Sequence, residues 1–213
     1  MTTERTALIV VDLQPDFLTG GPLAVRNGEE ILEPLFALIR HGSFDTVVAT
    51  QDWHPRDHVS FASNHEGAEP FGTKDLYGHE QVLWPDHCVQ DTAGARLHPD
   101  LPTAPLDALI RKGQDPAVDS YSAFRNNWNR DGERPATGLG AYLKERGIGR
   151  VILAGLARDY CVKWSAEDAV AMDFATTVLW ELTRPVDPDS DDAVAGALQD
   201  RGVDVVDGKG WRP

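Results

Sequence analysis

Runs in which nearly every position is apolar or β-branched recur along the chain, at Ala7-Leu8-Ile9-Val10-Val11, Thr46-Val47-Val48-Ala49-Thr50, 106–111, Arg150-Val151-Ile152-Leu153-Ala154, 176–179 and 203–206. The clearest of them show no period-two alternation, so they read as strands covered on both faces. Stretches of helical length lie between several of them, at 29–40, 159–172 and 190–201. Buried strands separated by helices predict an α/β fold, with a parallel sheet of about six strands as the middle of three layers.

One stretch breaks the pattern. Residues 52–105 are rich in His, Pro, Gly and Asp, and show little periodicity. A loop this long inside a compact unit is uncommon unless it carries function. No repeat, low-complexity tract or linker divides the sequence, so residues 1–213 are expected to form one domain with this segment as an insertion.

Composition narrows the partners. The 213 residues are 41% hydrophobic and 25% charged, a mix that builds a globular core, and the formal net charge is −14. That charge repels phosphate backbones and anionic membrane surfaces, so neither nucleic acid nor a membrane is expected as a partner. The apolar run at 6–11 is too short for a signal h-region, and no run reaches the ~18 residues that span a bilayer. A cytoplasmic protein is the expectation. The sequence leaves the oligomeric state open, a homo-oligomer included. Only two cysteines occur, Cys88 and Cys161, and neither belongs to a CxxC pair, which argues against a disulfide framework or a zinc–cysteine site.

In open α/β sheets ligands bind beyond the carboxyl ends of the strands, so the first polar residues after each apolar run bear inspection. Asp12 follows the first strand, Asp52 and His54 the second, and Lys112 the third; Cys161 opens the helix after the fourth. Taken singly, each triad candidate has a plain structural role: Asp12 caps the turn at Pro15, Lys112 is a solvated lysine, and Cys161 packs as a small hydrophobe. Taken together at one sheet edge, they suggest a nucleophilic thiol with a carboxylate base and a lysine that keeps the base ionised. A helix amino terminus is expected to lower the thiol pKa and to offer N–H groups to an oxyanion. Cys88 lacks the strand-to-helix setting and reads as structural.

Asp52-Trp53-His54-Pro55-Arg56-Asp57-His58 suggests different chemistry. Asp52 and His54 share a side of an extended chain, His58 closes from the same loop, and His87 lies at the far end of the insertion. A carboxylate and two or three imidazoles suit Zn²⁺, Fe²⁺ or Mn²⁺ at an open site. The plain alternative is a His-rich polar loop.

Five stretches in order, VVDLQPDF, TQDWHPRDHVSFA, WPDHCVQDTAGARLHP, IRKGQDPAVDSYSAF and GLARDYCVKWSAEDA, span nearly the whole chain. They resemble the isochorismatase-like cysteine hydrolases and, within them, the nicotinamidases. The resemblance implies the isochorismatase-like fold with a six-stranded parallel sheet, a catalytic triad of Asp12, Lys112 and Cys161, and a cis peptide between Leu156 and Ala157. It implies an oxyanion hole from the backbone N–H groups of Ala157 and Cys161. It places one divalent metal, Zn²⁺ before Fe²⁺ or Mn²⁺, on Asp52, His54 and His87, with His58 as a further ligand. It lines the substrate pocket with Phe17, Trp84, Tyr121 and Tyr160. The implied activity is hydrolysis of nicotinamide, and by extension pyrazinamide, to the acid and ammonia through a cysteine thioester, in NAD salvage. The rivals are an N-carbamoyl-amine or ureidoacrylate amidohydrolase, which shares the triad without the metal cluster, an isochorismatase, which does not need Cys161, and a non-catalytic metal or thiol sensor.

Two positions depart from the family pattern. Arg158 stands where GLATDYC has threonine, and Trp180-Glu181-Leu182-Thr183-Arg184-Pro185 stands where a DGCRG-like turn is usual. The first changes the charge beside the nucleophile, and the second leaves the local structure after the fifth strand open.

Overall fold

The computed structural model describes residues 4–208. The first apolar run forms β1 (Arg5–Val11), whose side chains alternate between two buried faces. Leu8 and Val10 join one apolar cluster, while Ala7, Ile9 and Val11 join the other. A strand buried on both sides needs covering layers, and amphipathic helices supply them. The helix α1 (Leu32–His41) turns Leu35, Phe36 and Ile39 onto the first face. The helices α2 (Leu139–Glu145), α3 (Lys163–Ala171) and α4 (Asp191–Asp200) cover the second with Leu139 and Leu143, Ala166 and Ala169, and Val194 and Leu198.

The remaining sheet strands are β2 (Thr46–Asp52), β5 (Ala108–Lys112), β6 (Ile148–Leu156), β7 (Ala175–Arg184) and β8 (Asp204–Val206). They run in the order β5-β2-β1-β6-β7-β8, all pairs parallel. The three-layer architecture with six parallel strands is therefore the one expected from the sequence. Strand order reverses between β1 and β6, and the crevice at such a point is where ligands bind in open sheets. Asp12 leaves β1 and Cys161 follows β6 on its two sides.

The structure adds two elements that the sequence pattern did not predict. Within 52–105 lies an antiparallel hairpin, β3 (Thr73–Leu76) and β4 (His79–Val82). Its strands are mostly exposed and polar, so no alternation announced them, but Tyr77-Gly78 forms a two-residue turn with φ of 57° and 82°, the left-handed geometry that hairpins favour. The helix α2 is only 7 residues long, too short for a helical period to stand out. Among the described residues no helix is long and apolar enough to cross a membrane.

Candidate active site

At the carboxyl edge of the sheet, Asp12 has a left-handed φ of 47°, which turns the chain sharply away from β1. Its carboxylate is wholly buried, with Oδ1 accepting from Thr50 Oγ1 at 2.6 Å and Lys112 Nζ 2.9 Å from Oδ2. Asp12 thus faces inward and holds no turn. Lys112 ends β5 in register with Asp52 of β2, so the two side chains meet across the ladder. Its ammonium also donates to the carbonyl of Ser120 at 3.1 Å and to Cys161 Sγ at 3.4 Å. Lys112 is 1% exposed, which replaces the solvated lysine of the plain sequence reading with a buried hub.

Charge sets the protonation states. Burial works against the Lys112 ammonium, but Asp12 and Asp52 outweigh it and push its pKa well above the ordinary lysine value. Burial raises Asp12 to about 6, against the pull of Lys112. The thiol differs from expectation. Burial pushes Cys161 well above the usual thiol value, and although Lys112 opposes this, Asp12 and Asp52 add to it. The rise runs opposite to the acidification expected at a helix terminus, and burial is its largest cause. Cys161 therefore holds its proton, and the Asp12 carboxylate beside it is the acceptor in reach.

Cys161 sits in a π-helical turn, Arg158–Val162, which enters α3. The turn is closed by Val162 N donating to the Ala157 carbonyl at 3.0 Å. The Leu156–Ala157 peptide just before it is cis, as the resemblance implied.

Beside this trio, Asp52, His54 and His87 converge, with ligand atoms all within 4.8 Å of one another. His54 Nε2 lies 3.5 Å and His87 Nε2 3.8 Å from Asp52 Oδ2. Their other ring nitrogens are engaged, His54 Nδ1 with the Gly113 carbonyl at 3.0 Å and His87 Nδ1 with the Pro85 carbonyl at 2.8 Å. Carbonyls accept, so each Nδ1 carries a proton and each Nε2 faces Asp52, the arrangement that backs metal-ligating imidazoles. Burial works against a charged His54, but Asp52 outweighs it and holds its pKa above the ordinary histidine value. Burial, then His54, pulls His87 down to about 4, so its ring is neutral at neutral pH. Gln14 braces Asp52, accepting from its amide at 2.7 Å and donating to its carbonyl at 2.8 Å. The donor set fits one divalent cation. His58 neighbours His54 at a ring separation of 4.3 Å and groups with His54 and Asp119; its Nδ1 meets Ser60 Oγ at 2.8 Å, and its buried Nε2 has no hydrogen-bond partner among the described residues.

Cys161 and the Asp52, His54 and His87 set open on one cleft with about 350 Å³ of unfilled space, part of it open to solvent. Phe17, Trp84, Tyr121 and Tyr160, the four aromatics singled out from the sequence, all line it, as do Ala157 and Cys161. Trp84 stands edge-on to Tyr160 at 4.7 Å, and Tyr121 to Tyr160 at 5.4 Å, forming a flat-walled slot. Leu23, Asp119, Ser120 and Val186 complete the wall and were not singled out from the sequence. Asp119 and Ser120 lay inside a quoted motif; Leu23 and Val186 carried no chemical signal at all.

The isochorismatase domain model matches residues 6–209. The chain belongs to the isochorismatase family. Within that family it is 49% identical to the nicotinamidase of Acinetobacter baylyi, covering 85% of this chain and 82% of that one. It is 43% identical to the nicotinamidase of Escherichia coli, covering 91% and 89%. Among solved structures, an Acinetobacter baumannii nicotinamidase/pyrazinamidase superposes with a TM-score of 0.90 at 42% identity over 99% of each chain. Other solved family structures hold ligands. The yeast nicotinamidase Pnc1p bound to the inhibitor nicotinaldehyde has a TM-score of 0.86 at 33% identity, covering 95% of this chain and 99% of that one. A Pyrococcus horikoshii pyrazinamidase in complex with zinc has a TM-score of 0.76 at 32% identity, covering 95% and 98%.

Proposed function

We propose that this chain hydrolyses nicotinamide to nicotinate and ammonia, with Asp12, Lys112 and Cys161 as its catalytic triad. The observation that carries the reaction class is the buried trio itself: a thiol that holds its proton, a carboxylate beside it, and one lysine in reach of both. The substrate is supported by the named relatives and by the aromatic slot, which suits a flat heteroaromatic ring. Pyrazinamide, of the same shape, is a second substrate.

Asp12 takes the proton from Cys161 as sulfur attacks the carboxamide carbon. The C–S bond forms and the carbonyl π pair moves to oxygen. The backbone N–H groups of Ala157 and Cys161 receive that oxyanion, a contact worth about 3 kcal/mol per donor in hydrolases of this kind. As the pair returns, the C–N bond breaks, and Asp12 gives its proton to the departing nitrogen, releasing ammonia and leaving a thioester. Water then enters, loses a proton to Asp12 and attacks the thioester. The C–S bond breaks and Cys161 regains its proton. Throughout, Lys112 holds Asp12 in place and offsets the charge that appears on the thiolate or carboxylate.

Asp52, His54 and His87 would hold a divalent ion, with zinc favoured by the zinc-bound relative and by the His₂–carboxylate donor set. When bound, the ion supplies a Lewis acid at the wall of the cleft, suited to the ring nitrogen or to a water. His58, which neighbours His54 and whose buried Nε2 has no hydrogen-bond partner among the described residues, would be a further ligand. The test is an ammonia assay on a panel of amides: nicotinamide and pyrazinamide are turned over, while an N-carbamoyl amine and ureidoacrylate are not. Preference for the latter pair would replace the reading with its rival.

A further inference from the structure

The nucleophile turn is anchored from outside the cleft by Arg158. Between β6 and β7 the register runs from Leu153↔Val178 to Gly155↔Thr183, so two steps on β6 face five on β7. The surplus residues of β7 bulge out, and a bulge strips carbonyls of their ladder partners. The Arg158 guanidinium fills that gap. Its Nη2 donates to the carbonyls of Trp180 and Thr183, both at 2.8 Å, and its Nε donates to Thr183 Oγ1 at 2.8 Å. Its Nη1 donates to Asp191 Oδ2 at 2.6 Å, at the start of α4, and its plane lies 3.9 Å from the Trp180 ring centre. The side chain is 4% exposed. Lysine could not supply this fork of donors.

The same turn is tied a second time. The carboxylate of Asp159 accepts from the amides of Val186 and Asp187, both at 2.9 Å, and Val186 lines the cleft. The two departures from the family pattern, Arg158 and the segment beginning at Trp180, are therefore one packed unit. Arg158 stands directly between Ala157 and the rest of the π-helical turn that carries Cys161, the two residues whose N–H groups receive the oxyanion in the proposed reaction.

We propose that Arg158 is a positioning residue: by gripping the β7 bulge and α4 it holds the Ala157–Cys161 backbone in the shape that receives the oxyanion. This rests on the amidase reading above. It touches no substrate, so its effect belongs to the transition state rather than to ground-state binding.

The experiment measures kcat and KM for nicotinamide, inhibition by nicotinaldehyde, and Tm, for the metal-loaded wild-type protein and for Arg158→Met, Arg158→Lys and Thr183→Val. The aldehyde reports on the oxyanion site because Cys161 sulfur bonds to its carbon as the S–H bond breaks, its proton passing to Asp12, while the carbonyl pair moves to oxygen. For Arg158→Met, kcat falls roughly 10-fold or more and the aldehyde binds weaker by a similar factor, with KM within about twofold of wild type. Arg158→Lys recovers only part of the loss. Thr183→Val removes one bond of the fork and keeps the test readable if Arg158→Met does not fold; it lowers kcat and aldehyde affinity together by roughly two- to threefold. Variants that are folded, less heat-stable and unchanged in kcat and aldehyde affinity overturn the proposal and leave Arg158 a structural anchor. A wild-type protein that releases no ammonia from any amide overturns the amidase reading and this proposal with it, whereas an active wild type with indifferent variants overturns the proposal alone.

Discussion

Lys112 and Asp12 form an ion pair of 2.9 Å with both side chains fully shut off from solvent. Desolvating two charges is costly, and removing one partner leaves the other stranded. Lys112→Met leaves Asp12 and Asp52 buried without their shared ammonium. We expect it to lose about 3–5 kcal/mol of stability and essentially all ammonia release, measured by urea unfolding and by turnover. Unchanged unfolding would show that the pair contributes nothing.

The elevated pKa of Asp12 predicts two opposite pH dependences. Burial holds it near 6, so below that pH it already carries the proton that it must take from Cys161. kcat/KM should fall about tenfold per pH unit on the acid side of an apparent midpoint near 6, which belongs to the coupled trio as a whole. Stability moves the other way: a carboxyl raised from 3.8 to about 6 binds its proton more tightly when folded. Its contribution is full below the unfolded value and is lost as pH rises through the folded one. A pH–rate profile flat down to pH 4.5 would remove Asp12 as the base.

Gly113, next to Lys112, predicts a defect in the metal set. Its φ is +68°, and a Cβ placed there would lie 2.3 Å from the His54 ring. Gly113→Ala should displace His54 and its Nδ1 bond to the Gly113 carbonyl. Elemental analysis after dialysis should find metal well below the wild-type complement, with activity reduced in proportion. A full complement on the folded variant would mean that His54 is not a ligand.

Much of the framework could be read from the chain because burial on both faces leaves a plain signature: Ile9 and Val10 of β1, or Ile152 and Leu153 of β6, point to opposite layers and are all apolar. Strand ends then located Asp12, Asp52 and Lys112. Less was visible where function depends on contacts distant in sequence. Lys112 alone looked solvated, because only the register of β2 against β5 brings Asp52 across from it. The thiol was expected to be acidified by its helix, but burial pushes it the other way, and Asp12 and Asp52 brought from β1 and β2 add to the rise. The candidate metal residues showed in the chain as a carboxylate and histidines in one loop, whereas the final ligand set and the aromatic positions were carried by resemblance. Arg158 was visible only as an unusual residue, since its partner Thr183 lies 25 positions away.

The central claim is that Cys161 is the nucleophile of an amide hydrolysis. Its most direct test is ammonia release from nicotinamide by the wild-type protein and by Cys161→Ala, each verified as folded. The account predicts steady release of ammonia with matching nicotinate from the wild type and none above background from the variant. Sustained ammonia release by Cys161→Ala would contradict it.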